Sequence, residues 1–132
     1  MNQRTRISSA SPYEDKFGFC RAIRVGNIIH IAGTAPLDED GKTVGIGNPE
    51  VQARRCFDIL GNALNDLGAD YTDVVRTRML LSRISDWEVI GAVHGEYFRE
   101  IRPVSTLVEV SSFINPEWLL ELEAEAIVDL CK

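Results

Sequence analysis

The sequence predicts an α+β fold, a single mixed sheet carrying two helices on one face in the order β-β-α-β-α-β-β. Three observations lead there. Gly26-Asn27 separates two β-rich segments, as the turn of a tight hairpin does. Asn48-Pro49-Glu50 opens a long stretch whose apolar residues recur at steps of three and four. Residues 119–128 alternate apolar and charged side chains almost without a break.

Residues 1–16 are polar and read as a leader, ahead of strands at 19–25 and 28–34. Pro36 ends the second strand, and Asp38-Glu39-Asp40-Gly41 makes a solvated turn before the glycine-rich loop Gly45-Ile46-Gly47. Asn48 is placed to cap a helix with Pro49 at its first position and Glu50 against the positive end of the dipole. Cys56, Ile59, Leu60, Ala63, Leu64 and Leu67 form its apolar stripe, and Gly68 supplies the left-handed stop, giving a helix over 49–67. Cys56 lies on that stripe and reads as a buried structural thiol. The doublet Arg54-Arg55 reads as a solvated face of the helix.

A third strand spans 74–81, with Val75, Thr77, Met79 and Leu81 on one face and Val74, Arg76, Arg78 and Leu80 on the other. Ser85 and Glu88 have the spacing of a capping box for a second helix ending near Arg99, whose apolar face is Ile90, Val93, His94 and Tyr97. Pro103 forbids its continuation. The last strands occupy 105–110 and 119–128, joined by a loop containing Asn115-Pro116. Two helices cover one side of such a sheet, so the side bearing Arg76, Arg78 and the glutamates calls for a partner, and a homo-oligomer is expected.

Composition narrows the function. At 132 residues the chain has room for one domain, and 45% hydrophobic with 26% charged residues suits a packed core. A formal charge of −6 repels a polyphosphate backbone, so nucleic acid is not an expected partner. The longest nearly uncharged apolar run, 28–37, is too short for a membrane span and contains His30, Gly33 and Pro36. With no signal-like segment at the start, a cytoplasmic protein is the expectation. Cys20, Cys56 and Cys131 are odd in number and widely spaced, suggesting neither a disulfide framework nor a zinc site. His30 and His94 sit on different elements, so no metal constellation appears, and no phosphate-binding, dinucleotide or nucleophile-elbow motif is present. No cofactor is implied.

The row Glu121, Glu123, Glu125 carries chemistry, because carboxylates two residues apart on one strand face repel unless cations intervene. Two readings stand open: salt bridges to Arg76 and Arg78 at an interface, or one carboxylate whose pKa is raised in a cleft and which handles protons.

Five blocks in order, RAIRVGN at 21–27, IAGTAP at 31–36, VVRT at 74–77, PVSTLVEV at 103–110 and ELEA at 121–124, resemble the RidA/YjgF family of enamine/imine deaminases, also known as translation inhibitors or L-PSP endoribonucleases. The resemblance covers about 17–128. It implies a chorismate-mutase-like fold, a homotrimer, and ligand clefts between neighbouring subunits. Hydrolytic members hold a 2-imino acid's carboxylate with a motif arginine while water attacks the imine carbon. Here Ser105 stands at the arginine's position, and a serine cannot replace a bidentate cation. The family's cleft tyrosine corresponds to Phe19 and its helix asparagine to Gly91, while its water-associated glutamate is matched by Glu121.

The catalytic candidate is therefore Glu121, with substrate contacts from Phe19, Arg21, Gly33, Gly91, Ser105 and Thr106. Arg21 and Arg102 are open alternatives for a replacement cation, or else members of surface or interface salt bridges. The reading this supports is a divergent hydrolase or deaminase of a small imine, enamine or related metabolite, not a standard 2-iminopropionate deaminase. The alternative is a non-catalytic trimer that binds a small metabolite in the same clefts. An endoribonuclease fits least with the charge.

Overall fold

The computed structural model describes residues 3–9 and 11–129; Cys131 lies outside them. The strands are β1 (Arg4–Ile7), β2 (Ala22–Val25), β3 (Ile28–Thr34), β4 (Val74–Leu81), β5 (Val104–Glu109) and β6 (Leu120–Ile127). The helices are α1 (Pro12–Phe17), α2 (Pro49–Asp66) and α3 (Trp87–Phe98). One six-stranded sheet has the order β1-β2-β3-β6-β4-β5. Only β4 and β5 run parallel, and α3 is the crossover between them. The last strand, β6, enters between β3 and β4 and pairs antiparallel with both.

The hairpin forms as expected. Val25 pairs with Ile28, and Gly26 has φ 62 at the first central position, where a II′ turn requires a positive angle. Asn48 caps α2, its Oδ1 accepting from the Val51 N–H at 3.1 Å, and Gly68 takes φ 80 after the helix. The apolar stripe of α2 is broader than its spacing suggests: Phe57 is fully buried and stacks on Tyr97 with ring centroids 5.0 Å apart. Leu60 and Leu64 of α2, Ile90 and Val93 of α3, and Leu120 and Leu122 of β6 complete the centre of the core. Each such side chain contributes about 1.5–3 kcal/mol by leaving water.

Four expectations need correction. The polar leader carries structure: β1 pairs with β2, and α1 is capped by Ser11, opened by Pro12 and stopped by Gly18 at φ 78. Phe19 and Arg21 precede β2 rather than lying within it. In β4, Val74 pairs with Ala126 and Arg76 with Glu125, so Val75 is an extra residue, a bulge that turns Val74 into the core and leaves Val75 exposed. The remaining alternation of β4 follows the expectation. The Ser85–Glu88 capping box does not form; a 3-10 turn over Ile84–Asp86 precedes α3, and the Ile84 N–H is taken by Glu109 Oε1 at 2.9 Å.

Candidate functional site

A second bulge builds the site. Ile31 pairs with Ala124 and Thr34 with Leu122, so β3 carries one extra residue across Ala32-Gly33. This bends Gly33 against Glu121: a Cβ on Gly33 would stand 3.1 Å from Glu121 Oε1. Arg21 secures the bulge, its Nη1 donating to the carbonyls of Gly33 at 2.9 Å and Ala32 at 3.4 Å and to Thr34 Oγ1 at 3.1 Å. Arg21, Gly33 and Glu121 thus come together as one group.

Within the glutamate row the members differ: two pair with cations and one does not. Arg78 Nη1 pairs with Glu123 Oε1 at 3.2 Å, and Glu125 meets Arg76 Nε and His30 Nδ1 at 3.7 Å each. Glu121 forms no ion pair among the described residues. Burial lifts its carboxyl above the ordinary range, the charge of Arg21 pulls it back, and that of Glu123 adds to the rise. Arg21 is itself held below its usual pKa by burial, opposed by Glu14 and Glu121. Glu14 is buried and accepts from Ser8 Oγ at 2.8 Å, from the Ser9 N–H at 2.9 Å and from Ser9 Oγ. Burial raises its pKa, but the serine hydrogen bonds and Arg21 outweigh that and keep it low.

Ser105 belongs to a different neighbourhood. β5 pairs in register with β4, Thr77 opposite Ser105, and the buried Thr77 Oγ1 donates to Ser105 Oγ at 2.8 Å. The same hydroxyl meets His94 Nε2 of α3 at 2.8 Å. Burial lowers the pKa of His94, which favours the neutral ring. Ser105 therefore lies on the helix-covered face, whereas Glu121 alternates with the core residues Leu120 and Leu122 and lies on the open face. One chain does not bring the two against the same ligand.

Of the other candidates, Phe19 is half exposed, Gly91 has open space where a side chain would begin, and Thr106 is exposed beside Arg78 in the strand register. Arg102 is exposed, and neither it nor Arg21 forms an ion pair among the described residues. Arg54 pairs with Glu50 and Glu96, as a solvated face does, while Arg55 Nε donates to the Leu37 carbonyl at 2.6 Å. Cys56 is fully buried and its thiol is pushed far up by desolvation, which leaves it without thiolate character. Among the described residues no group of three His, Cys, Asp or Glu could hold a metal ion, and no helix is long and apolar enough to cross a membrane.

Sequence reasoning passed over Thr77 and Glu14. Thr77 was detectable as a polar residue on the face shared with Met79 and Leu81, opposite a helix whose apolar stripe includes His94; buried polar groups on facing elements need each other.

The family model for Endoribonuclease L-PSP matches residues 9–128. This chain belongs to the RidA/YjgF/L-PSP family. It is 36% identical over 121 residues to the uncharacterized protein SCO2049 of Streptomyces coelicolor, covering 92% of this chain and 90% of that protein. It is 31% identical over 107 residues to the 3-aminoacrylate deaminase RutC of Acinetobacter baylyi, covering 81% and 84%. The crystal structure of Rv2704 from Mycobacterium tuberculosis, a YjgF-family member, superposes with a TM-score of 0.86 at 38% identity, covering 96% of this chain and all of that one. The helices on one face of a mixed sheet are thus the family's fold.

Proposed function

We propose that this Rid-family protein hydrolyses a small imine, enamine or related metabolite in clefts between the subunits of a homotrimer, with Glu121 as the proton-handling group. The observation that carries this reading is Glu121 itself: alone in its row it lacks an ion pair among the described residues, and burial lifts its pKa toward the range useful to a general base. One of its oxygens stands against the Gly33 bulge, and the charge of Arg21 is near enough to act on the carboxylate.

In such a site the carboxylate takes a proton from water as the oxygen adds to the imine carbon. It then returns that proton to nitrogen, giving a carbinolamine, and passes the carbinolamine's hydroxyl proton on to the nitrogen as the C–N bond breaks, so that ammonia leaves and a carbonyl remains. An enamine first gains a proton on carbon to become the imine. The separation of Glu121 and Ser105 on opposite faces supports a cleft completed by a second subunit, since a neighbour can bring one face to the other. Phe19, Arg21, Gly33, Gly91, Ser105 and Thr106 are the proposed substrate contacts. With a serine hydroxyl where hydrolytic relatives hold a carboxylate by arginine, 2-iminopropionate is a poor substrate.

Imines generated by an amino-acid oxidase, with ammonia release measured in the presence and absence of the protein, test the reading. Turnover of 2-iminopropionate more than tenfold below that of an arginine-bearing relative is expected, since a lost bidentate charge contact is worth about 2–5 kcal/mol. Once a substrate is turned over, Glu121→Gln should remove about 10²-fold or more. An intact rate in that variant would remove Glu121 from the chemistry. No turnover with any imine or enamine, but saturable binding of a small metabolite, would favour the non-catalytic binding protein, a reading that the loss of polar groups at Phe19 and Gly91 also suits.

A further inference from the structure

Glu14 is a buried carboxylate in a stretch whose other charges lie outside. Arg4, Arg6, Asp15 and Lys16 are exposed, yet Glu14 is 5% exposed and forms no ion pair among the described residues. A carboxylate is costly to bury and is kept where other groups answer it. Its direct partners are neutral: Ser8 Oγ, the Ser9 N–H and Ser9 Oγ, all from the connection between β1 and α1.

The backbone of Glu14 acts at the far end of the same helix. Its carbonyl accepts from the Gly18 N–H at 2.8 Å and the Phe19 N–H at 3.1 Å, so one residue fastens both the entry and the exit of α1. Two residues past Phe19, the Arg21 N–H donates to the Ile7 carbonyl at 2.8 Å, which returns the chain to the end of β1. Glu14 thus fixes the segment from which Arg21 departs.

Arg21 in turn wraps the bulge in β3. Its carbonyl accepts from the Ala32 N–H at 3.0 Å, while its Nη1 donates to the Ala32 and Gly33 carbonyls and to Thr34 Oγ1. Thr34 Oγ1 is itself tied to the Ala32 carbonyl at 2.9 Å. This is the bulge whose Gly33 stands against Glu121. The charges of Glu14 and Glu121 both act on the Arg21 guanidinium, against the burial that disfavours it.

We propose that Glu14 is a positioning residue for the candidate site: by fixing Arg21 it holds the Gly33 bulge, and with it Glu121, in place. The contacts run from Ser8 and Ser9 through Glu14 and Arg21 to Gly33. Fastening a helix needs the hydrogen bonds of the carboxylate and not its charge. The charge has a use only toward a cation, and Arg21 is the cation that acts on it. What this does for turnover rests on the proposed hydrolase reading, whereas the positioning does not, so the test reads Glu121 directly.

The δ-carboxyl carbon of Glu121 is followed by NMR through a pH titration of the full chain, with Arg21 and Glu123 the charged groups that act on it. Glu14→Gln keeps the size and much of the hydrogen bonding but drops the charge, leaving Arg21 to Glu121 alone. The midpoint should move to lower pH, a fall of about threefold in proton affinity, and the Gly33 amide resonance should shift with it. In an Arg21→Gln background the same substitution should lose most of its effect, as an influence carried through Arg21 must. An undiminished shift in that background would overturn the proposal. So would an unmoved midpoint in folded Glu14→Gln with only its Tm lowered, the outcome of a purely structural role. Should Glu14→Gln not fold, Ser9→Ala takes one hydroxyl from the carboxylate and leaves the charge; it should shift the Gly33 and Glu121 resonances, and unmoved ones would overturn the proposal equally. If the midpoint moves as expected and no imine is hydrolysed, the positioning role stands and the hydrolase reading falls.

Discussion

Glu121 Oε1 faces Gly33 so closely that a methyl group on Gly33 would begin 3.1 Å from it. That distance is tighter than an ordinary van der Waals contact, so any side chain there displaces the carboxylate by a few tenths of an ångström. Gly33→Ala meets no left-handed backbone penalty, because Gly33 is not among the glycines with positive φ. The variant should fold with a Tm within a few degrees of the parent and, on the role proposed for Glu121, lose roughly tenfold in turnover of whatever imine the parent hydrolyses. Equal rates would mean that Glu121 does not need its place.

The raised pKa of Glu121 fixes a pH dependence. The folded state holds this proton more tightly than the unfolded chain, whose carboxyl titrates near 4.5, so the contribution of Glu121 to stability falls as pH rises from the unfolded pKa through the higher folded one. Above that window the ionised carboxylate is a burden on the fold. Glu121→Gln should therefore raise Tm at pH 7, with the gain vanishing below about pH 4. Thermal melts across that range decide it, and a variant less stable than the parent at neutral pH would contradict the assigned direction.

Thr77→Val keeps the shape of a buried side chain and deletes the hydroxyl that joins His94 to Ser105. Leaving the half-buried imidazole nitrogen without its partner should cost about 1–3 kcal/mol in urea unfolding, with the m-value unchanged. Thr77→Ser, which retains the hydroxyl, should recover most of this.

The open face of the sheet predicts assembly. Arg76, Arg78, Glu123 and Glu125 lie half exposed among Val75, Val104 and Val108, a mixture that makes poor solvent surface. Sedimentation equilibrium at micromolar concentration should give about 44 kDa, three times the chain mass of 14.7 kDa. A monomer would remove the support for a cleft between subunits.

What could be read in advance follows from how local each signal is. Gly26-Asn27, the Asn48-Pro49 cap and the alternation of Leu120, Leu122, Ala124 and Ala126 are set by neighbours in sequence, and each element forms where its residues place it. The bulge at Val75 was illegible because nothing in Val74-Val75-Arg76 marks which valine is the extra one; the partner strand decides that. β1 was missed because Arg4, Thr5 and Arg6 are all exposed, so an edge strand there has no apolar alternation to show. Glu121 stands out as a candidate from its row and from the family's block order. Its freedom from ion pairs was not, since that depends on Arg76 and Arg78 being taken by Glu125 and Glu123 across the sheet. The contact of Thr77 with Ser105 is likewise beyond local reading, because it spans a crossover that contains a whole helix.

The position of β6 has a consequence for synthesis. Because translation makes this strand after all the others, the nascent chain holds β3 and β4 without the partner that joins them, and both present open hydrogen-bonding edges while the ribosome is still at work. The hairpin of β2 and β3 can form early, but the two halves of the sheet can be locked together only when residues 120–127 are free to slide between them. Until then the nascent protein presents strand edges on which two copies from neighbouring ribosomes can pair wrongly, and those edges are where a holding chaperone would bind.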